Sequence, residues 1–305
     1  MTAELVKATE PTRRPPAARP GRVDGASRAR RRPLASVPTT ATLVVLAGLV
    51  MVPMVWLLIT TFKPESEIGA SPLELLPGAP TTGNYEGAVT FIDYTRYLSH
   101  SIAVATIYTV PTVITSAMAG YAFARLEARF KRVLFGVVIA TLLVPLFVFV
   151  LPLFIIYSRI GLLNTYWPWL LWGLGANAFH IFLFRQFFDA LPRELEEAAE
   201  IDGCGRLRTL WHVVLPNSKP VLATSAILAF ASQWGEIIVQ NIFLNSDEKA
   251  TLSARLAIGI QDPSGRAVLN GVTLAAVALY IVPVIIVFVF AQRSIIRGAM
   301  TSGLK

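Results

Sequence analysis

The feature that most constrains this chain is the spacing of its charges. Stretches over about residues 38–62, 98–124, 133–157, 165–184, 221–244 and 268–291 carry almost none. At a rise of about 1.5 Å per residue, each exceeds or approaches the roughly 20 residues that cross a hydrocarbon core. Backbone amides find no water in lipid, so such stretches span as helices. Charged residues make up 15% of the chain, against roughly 25% in a soluble domain, and they gather between the apolar runs. The expected fold class is all-α: one polytopic membrane domain with about six transmembrane helices. Pro53, Pro111, Pro145, Pro152 and Pro283 fall inside or near these helices and predict local kinks.

The basic residues orient the domain. Residues 1–37 form an Arg- and Pro-rich tail with too few apolar residues for a core, expected to be disordered and cytoplasmic. Its arginines could also touch anionic headgroups. The apolar run that follows is longer than the core of a signal peptide and leads into Lys63, Pro64 and Glu65, so it reads as an uncleaved span. Most of the 27 Lys and Arg lie in the tail, in Arg125–Arg132, in Arg185–Lys219 or after Ala291. The positive-inside rule then places both termini in the cytoplasm. The formal charge of +8 is thereby assigned to a membrane surface rather than to nucleic acid. On the outer side, residues 63–97 are long and turn-rich, a segment that could pack over a pore mouth.

Several chemistries lack their residues. A single cysteine, Cys204, allows no intrachain disulfide, and His100, His180 and His212 have no metal-ligand spacing. The run Gly173-Leu-Gly175-Ala-Asn-Ala178 mimics a nucleotide fingerprint, but no strand precedes it. A GxxxxGK[ST] phosphate loop is missing, so the chain is not expected to hydrolyse ATP. Neither a Ser/His/Asp set nor an HExxH run supports an enzyme.

The segment with a mechanism is the cytoplasmic one at about 189–220. Glu194, Glu196, Glu197, Glu200 and Asp202 make it acidic on a face otherwise basic. Pro192 suits a first helical position, the early glutamates suit the positive end of a helix dipole, and Gly203 suits a helix stop. A second short helix is expected from about Arg206 to Leu215, ending at Pro216. Ala198 and Ala199 offer a small surface for close approach. Two helices hung below a membrane in this way suit docking into a partner's cleft, and a solvated connector would satisfy the same features.

Glu197-Ala198-Ala199, Asp202-Gly203 and Val213-Val214-Leu215-Pro216 resemble the EAA loop of ATP-binding-cassette importer permeases. Gly120-Tyr-Ala-Phe-Ala-Arg125, Lys219-Pro220, Gln292-Arg293 and the closing Gly-Leu-Lys are similar to the maltose-type sugar permeases, a likeness covering about residues 38–305. The resemblance implies the type I importer permease fold in a prokaryotic cytoplasmic membrane. It implies a second related permease, a dimer of a cytoplasmic ATP-binding subunit and an extracytoplasmic solute-binding protein as partners, besides membrane lipid. It implies that no cofactor binds this chain, ATP and Mg residing on the ATPase. It implies that Glu197 pairs with a basic residue of that ATPase, that Ala198 and Ala199 lie at the contact and that Gly203 makes the turn. The cargo it implies is a sugar or sugar derivative; a polyol, a glycerol phosphodiester or another polar solute stays open.

Glu236 is the one acid well inside an expected span. An intramembrane carboxylate is a functional candidate by default, here for the translocation path or its gate; a structural hydrogen bond accounts for it equally well. Sugar permeases often have Trp-Asn-Glu or Trp-Asn-Asp where this chain has Trp234-Gly235-Glu236, so Gly235 is a departure from the resemblance. Trp234 could stack on a sugar or simply pack. Asn177, Gln240 and Asn241 could bond between helices or meet a ligand, and Tyr166, Trp167, Trp169 and Trp172 fit an interfacial belt. Two rivals stand beside the importer. An ion-coupled secondary transporter would show internal repeats and interrupted helices with coordinating carboxylates. An intramembrane enzyme would need a nucleophile or paired acids at membrane depth.

Overall fold

Three helices follow the uninterrupted apolar length of the sequence: α1 over Ser36–Thr60, α4 over Tyr94–Arg125 and α14 over Asn270–Ser302. The structure, a computed structural model, describes residues 36–70, 75–261, 264–265 and 268–302. The expected N-terminal tail lies outside these apart from Ser36 and Val37, as does the closing Gly-Leu-Lys. Among the described residues there is one isolated β-bridge, Gln261 with Val268, and no strand.

Internal contacts divide the chain into two units, Met1–Met51 and Val52–Lys305, with the boundary inside α1. The described part of the first unit is helix, and from Thr40 onward its apolar side chains are exposed. An apolar helix with no buried face suits lipid rather than water. All other described elements belong to the second unit.

There the segment expected on the outer side contains α2 at Glu65–Ala70 and α3 at Gly83–Thr90. It packs on the beginning of α14. Both carboxylate oxygens of Glu65 accept from α14, from the Asn270 and Gly271 N–H at 2.8 Å each. Asn84 donates to the carbonyls of Thr61 and Lys63 at 2.8 and 2.7 Å.

The remaining three expected spans are broken rather than continuous. The third divides into α5 (Lys131–Thr141) and α6 (Leu146–Arg159), bent by 90°. Pro145, in an extended conformation just before α6, has no N–H to continue the helix. The fourth divides into α7 (Trp167–Leu174) and α8 (Ala178–Asp189), with Ala176 between them at φ 58°. In the fifth, α11 (Lys219–Trp234) stops at Gly235 and α12 (Ile238–Phe243) resumes after it. Among the described residues three helices are long and apolar enough to cross alone, and up to five spans result when two bent pairs are joined, α5 with α6 and the helical residues 206–217 with α11.

A single helix organises the interior. One end of α4, at Tyr94 and Tyr97, packs with α3, α14 and the short helix α13 (Leu252–Ala257). Its middle, at Val104 and Tyr108, packs with α6, α7, α11 and α12. Its far end, at Ala117, Tyr121 and Ala124, packs with α8 and the loop that follows α8. Small residues permit the close approaches. A Cβ on Gly173 would lie 2.8 Å from the Tyr108 carbonyl oxygen, and Thr115 donates to the Gly173 carbonyl at 2.9 Å.

Candidate functional site: a two-helix loop and an interrupted-helix cavity

The acidic loop is two helices, as its local signals predict, with different limits. Helix α9 covers Glu194–Ile201 and begins two residues beyond Pro192, so that proline precedes the helix instead of opening it. Glu194, Glu196 and Glu197 occupy the first turn, where the helix dipole favours negative charge. The stop is at Gly203, at φ +78°. Around it the Cys204 N–H donates to the Ala199 carbonyl and the Gly203 N–H to the Glu200 carbonyl, a Schellman pair that satisfies the helix end.

The second helix, α10, runs Arg206–Asn217 and passes through Pro216 instead of ending at it. It does so by widening into a π-helical turn over Leu210–Val214. Pro216 cannot donate to the preceding turn, and the Asn217 amide and Ser218 hydroxyl donate to the Val213 and Val214 carbonyls at 2.7 and 2.6 Å. Ser218 then turns the chain by 85° into α11, so α10 lies across the axis of the span that it feeds.

Glu197, Ala198, Asp202, Gly203 and Pro216 are exposed, and Leu215 is half-buried. Ala199 is not: at 5% exposure it is packed within this chain, so of the two alanines only Ala198 is open to a partner. This surface also has apolar members that do not stand out in the sequence. Ile201 is 87% exposed, Leu207 64% and Trp211 45%. Large apolar side chains left open beside an acidic patch, with Leu195 a fourth at 38%, are typical of a docking face; the sequence does not tell them from Leu210 and Val214 of the same loop, which are buried. Arg125, Leu126, Glu127, Arg193, Glu196, Glu197, Glu200 and Arg206 line an ionic crevice of about 490 Å3 beside α9.

The second candidate region is a cavity of about 650 Å3 on which all three helix breaks converge. Leu142, Val144 and Leu146 come from the α5–α6 bend, Gly175, Ala176 and Asn177 from the α7–α8 break, and Ser232, Gln233 and Glu236 from the end of α11. Irregular backbone at membrane depth is tolerated where it lines such a space. Among the lining residues Glu236 is the only charged one, and none is Lys, Arg or His.

Glu236 caps a helix and also faces the cavity. One carboxylate oxygen accepts from the Gln240 N–H at 2.9 Å, which caps the first turn of α12, while the residue also lines the cavity. Gln240 is 1% exposed and locks the break. Its amide donates to the Gln233 carbonyl at 2.6 Å, and its oxygen accepts from the Thr251 and Ser253 hydroxyls at 2.5 and 2.9 Å. Asn177 likewise holds the other break: its Oδ1 accepts from the Phe179 N–H and its own N–H donates to Ser116.

Trp234 does not line this cavity. It is 3% exposed, with the rings of Phe230 and Tyr280 stacked on it at 5.3 and 5.0 Å, which leaves no face for a sugar. Asn241 is exposed on α12, away from the cavity lining. The expected aromatic belt divides: Trp167 is exposed, whereas Trp169 is fully buried and donates to Gln233 at 3.1 Å.

A family model described as the binding-protein-dependent transport system inner membrane component matches residues 112–299. The chain is 34% identical to the sulfoquinovosyl glycerol transport system permease protein SmoH of Agrobacterium fabrum (strain C58), over 83% of this chain and 88% of that one. It is 34% identical to the trehalose transport system permease protein SugB of Mycobacterium tuberculosis (strain CDC 1551), over 87% and 95%. The fold is similar to a chain in the crystal structure of a bacterial ABC transporter involved in import of the acidic polysaccharide alginate. There the TM-score is 0.73 at 23% identity, covering 87% of this chain and 98% of the other.

Proposed function

Because this chain belongs to the family of binding-protein-dependent transport system inner membrane components, we propose that it forms half of the translocation path for a sugar or sugar-like solute and is driven through the 189–220 loop. It is a permease subunit of an ATP-binding-cassette importer, a transport subunit rather than an enzyme, embedded in the inner membrane by several helices. The ATPase and the solute-binding protein are partners general to such importers. The other half of the path is a second, related permease. ATP and Mg bind the ATPase dimer and not this chain. Both termini face the cytoplasm. The names of the relatives, for sulfoquinovosyl glycerol and for trehalose, support a carbohydrate cargo.

The observation that carries the proposal is the α9–α10 unit. It presents Glu197, Ala198 and exposed apolar side chains such as Ile201, Leu207 and Trp211, and it is joined to α11 across the 85° turn. In the proposed cycle ATP closes the ATPase dimer, the loop is displaced, and the helices around the cavity reopen outward. The bias between states comes from the tighter binding of ATP to the closed dimer.

Glu197→Lys tests the assignment. The variant is expected to insert and fold, and to lose substrate-stimulated ATP hydrolysis by roughly tenfold or more, as when one member of an interfacial charge pair is reversed. Stimulated hydrolysis at the wild-type rate would refute the coupling role. Interrupted helices around a cavity also favour the ion-coupled reading. Against it stands the single acid there, already committed to capping α12. Uptake that survives an ionophore with ATP intact separates the two.

A further inference from the structure

Besides the turn at Ser218 and the apolar packing of Leu210 and Val214 in the cluster of α4 and α8, the coupling loop has an ionic attachment to the spans. The Arg125 side chain leaves the last turn of α4 and is 5% exposed. Its Nε stands 2.7 Å from one carboxylate oxygen of Glu196, and one of its terminal nitrogens donates to the Leu191 carbonyl at 2.7 Å. The Nε–H has no aligned acceptor, so its contact with Glu196 is an ion pair rather than a straight hydrogen bond. One turn earlier on the same helix, the Tyr121 hydroxyl donates to the other Glu196 oxygen at 3.2 Å. Glu196 is 15% exposed and is thus gripped by two successive turns of α4.

The neighbours on α9 behave differently. Glu197 points to solvent, and Glu200 pairs only loosely with Arg206, at 3.9 Å and more than half exposed. Exposed pairs of that kind contribute little, whereas a buried pair leaves an uncompensated charge when either member is removed. The attachment is also well sited. Helix α4 packs on α7, α8, α11, α13 and α3, so a movement of its cytoplasmic end reaches every core cluster of the domain.

We propose that Arg125 and Glu196 are positioning residues that transmit displacement of the coupling loop directly to α4, in parallel with the α10–α11 turn. The proposal rests on the coupling role of the loop. Neither residue touches ATP or cargo in this scheme: Glu197 and the exposed apolar face dock, and Glu196 relays.

The test uses the whole importer, purified through this chain and reconstituted in nanodiscs, with Mg-ATP and vanadate as the probe. Ser232→Cys in a Cys204→Ser background places one thiol on the cavity wall, and its labelling rate by an impermeant maleimide is measured with and without trapping. Glu196→Gln is expected to keep the ATPase bound and ATP hydrolysed. Its trapping-dependent change in labelling is expected to fall roughly tenfold, as loss of one charge-assisted contact implies. Exchanging the two residues, Arg125→Glu with Glu196→Arg, is expected to restore the response, which a purely local packing role would not predict. A wild-type response in Glu196→Gln, or loss of the ATPase from it, overturns the relay. Arg125→Ala serves as a second disruption if it folds; the near-isosteric Glu196→Gln decides in either case. Glu197→Lys separates the premise: if that variant keeps both the ATPase and the full response, the coupling role of the loop fails independently of Glu196.

Discussion

Gly120 of α4 and Phe184 of α8 lie against each other with no room for a side chain between them. A Cβ built on Gly120 would stand 2.6 Å from the Phe184 Cβ and 3.1 Å from the Arg185 backbone nitrogen. Phe184 is fully buried and stacks on Phe188 at 5.7 Å, so it has nowhere to retreat. Gly120→Val is therefore expected to force α4 and α8 apart. The expected destabilisation is about 1–3 kcal/mol, the usual range for overpacking. Thermal unfolding of the detergent-purified protein, followed by size-exclusion chromatography, measures it. An unchanged midpoint would mean that this contact is looser than described.

Gln240 gives a prediction of opposite kind, a loss of polar satisfaction. Its side chain makes hydrogen bonds to Gln233, Thr251 and Ser253 while 1% exposed. Gln240→Leu keeps the approximate volume and removes all of them, leaving the Thr251 and Ser253 hydroxyls with each other, the Ala254 N–H and the Glu236 carbonyl. The expected cost is about 1–3 kcal/mol, with loosening of the α11–α12 break that frames Glu236. Unfolding midpoints measure the first effect. Faster thiol labelling at Ser232→Cys in the resting state measures the second, and an unaltered rate would exclude Gln240 as the lock.

Glu65 holds the outer segment to α14. Its carboxylate accepts from two N–H groups in the first turn of a 33-residue helix, where a negative charge also meets the helix dipole. Glu65→Ala is expected to cost about 0.5–2 kcal/mol, as for loss of a helix cap. It is expected also to open residues 63–90 to proteolysis from the outside. Limited digestion of right-side-out vesicles reads this directly; an unchanged pattern would show that Asn84 suffices to hold the segment.

These cases explain what was legible in the sequence. Apolar length alone identified α1, α4 and α14, because lipid imposes length on any continuous span. The breaks at Gly175–Asn177 and Gly235–Ile237 were not legible, since the groups that satisfy the freed backbone come from elsewhere: Ser116 for Asn177, and Thr251 and Ser253 for Gln240. The same distance hid the Arg125–Glu196 pair. One residue read as part of a basic loop motif and the other as part of an acidic patch, and no local pattern joins them. Trp234 stayed open between stacking on a sugar and packing, because its partner Tyr280 covers it only once α14 is docked. Pro216 was read as a stop because a π-helical detour has no sequence signature comparable to the proline itself. The turn at Gly203, by contrast, is set by its own backbone and was read correctly as a helix stop.

That turn supplies a prediction in which backbone and side-chain effects separate. At φ +78° Gly203 sits where a branched side chain is strained, yet a Cβ there would meet nothing within 4 Å. Any penalty of substitution is thus conformational rather than steric against neighbours, roughly 1–2 kcal/mol for an ordinary residue and less for asparagine. Gly203→Val is expected to unwind the Schellman pair formed by the Gly203 and Cys204 N–H groups and to shift Glu197, Ala198 and Ile201 relative to α10. Co-purification of the ATPase is then expected to fall severalfold, while Gly203→Asn retains most of it. The domain itself is expected to keep its thermal midpoint in both variants, because the turn is exposed and apart from the core. Equal ATPase recovery for valine and asparagine would show that the partner binds the loop whatever the exit angle of α9. A lowered midpoint in both would show instead that Gly203 matters for folding of the whole domain.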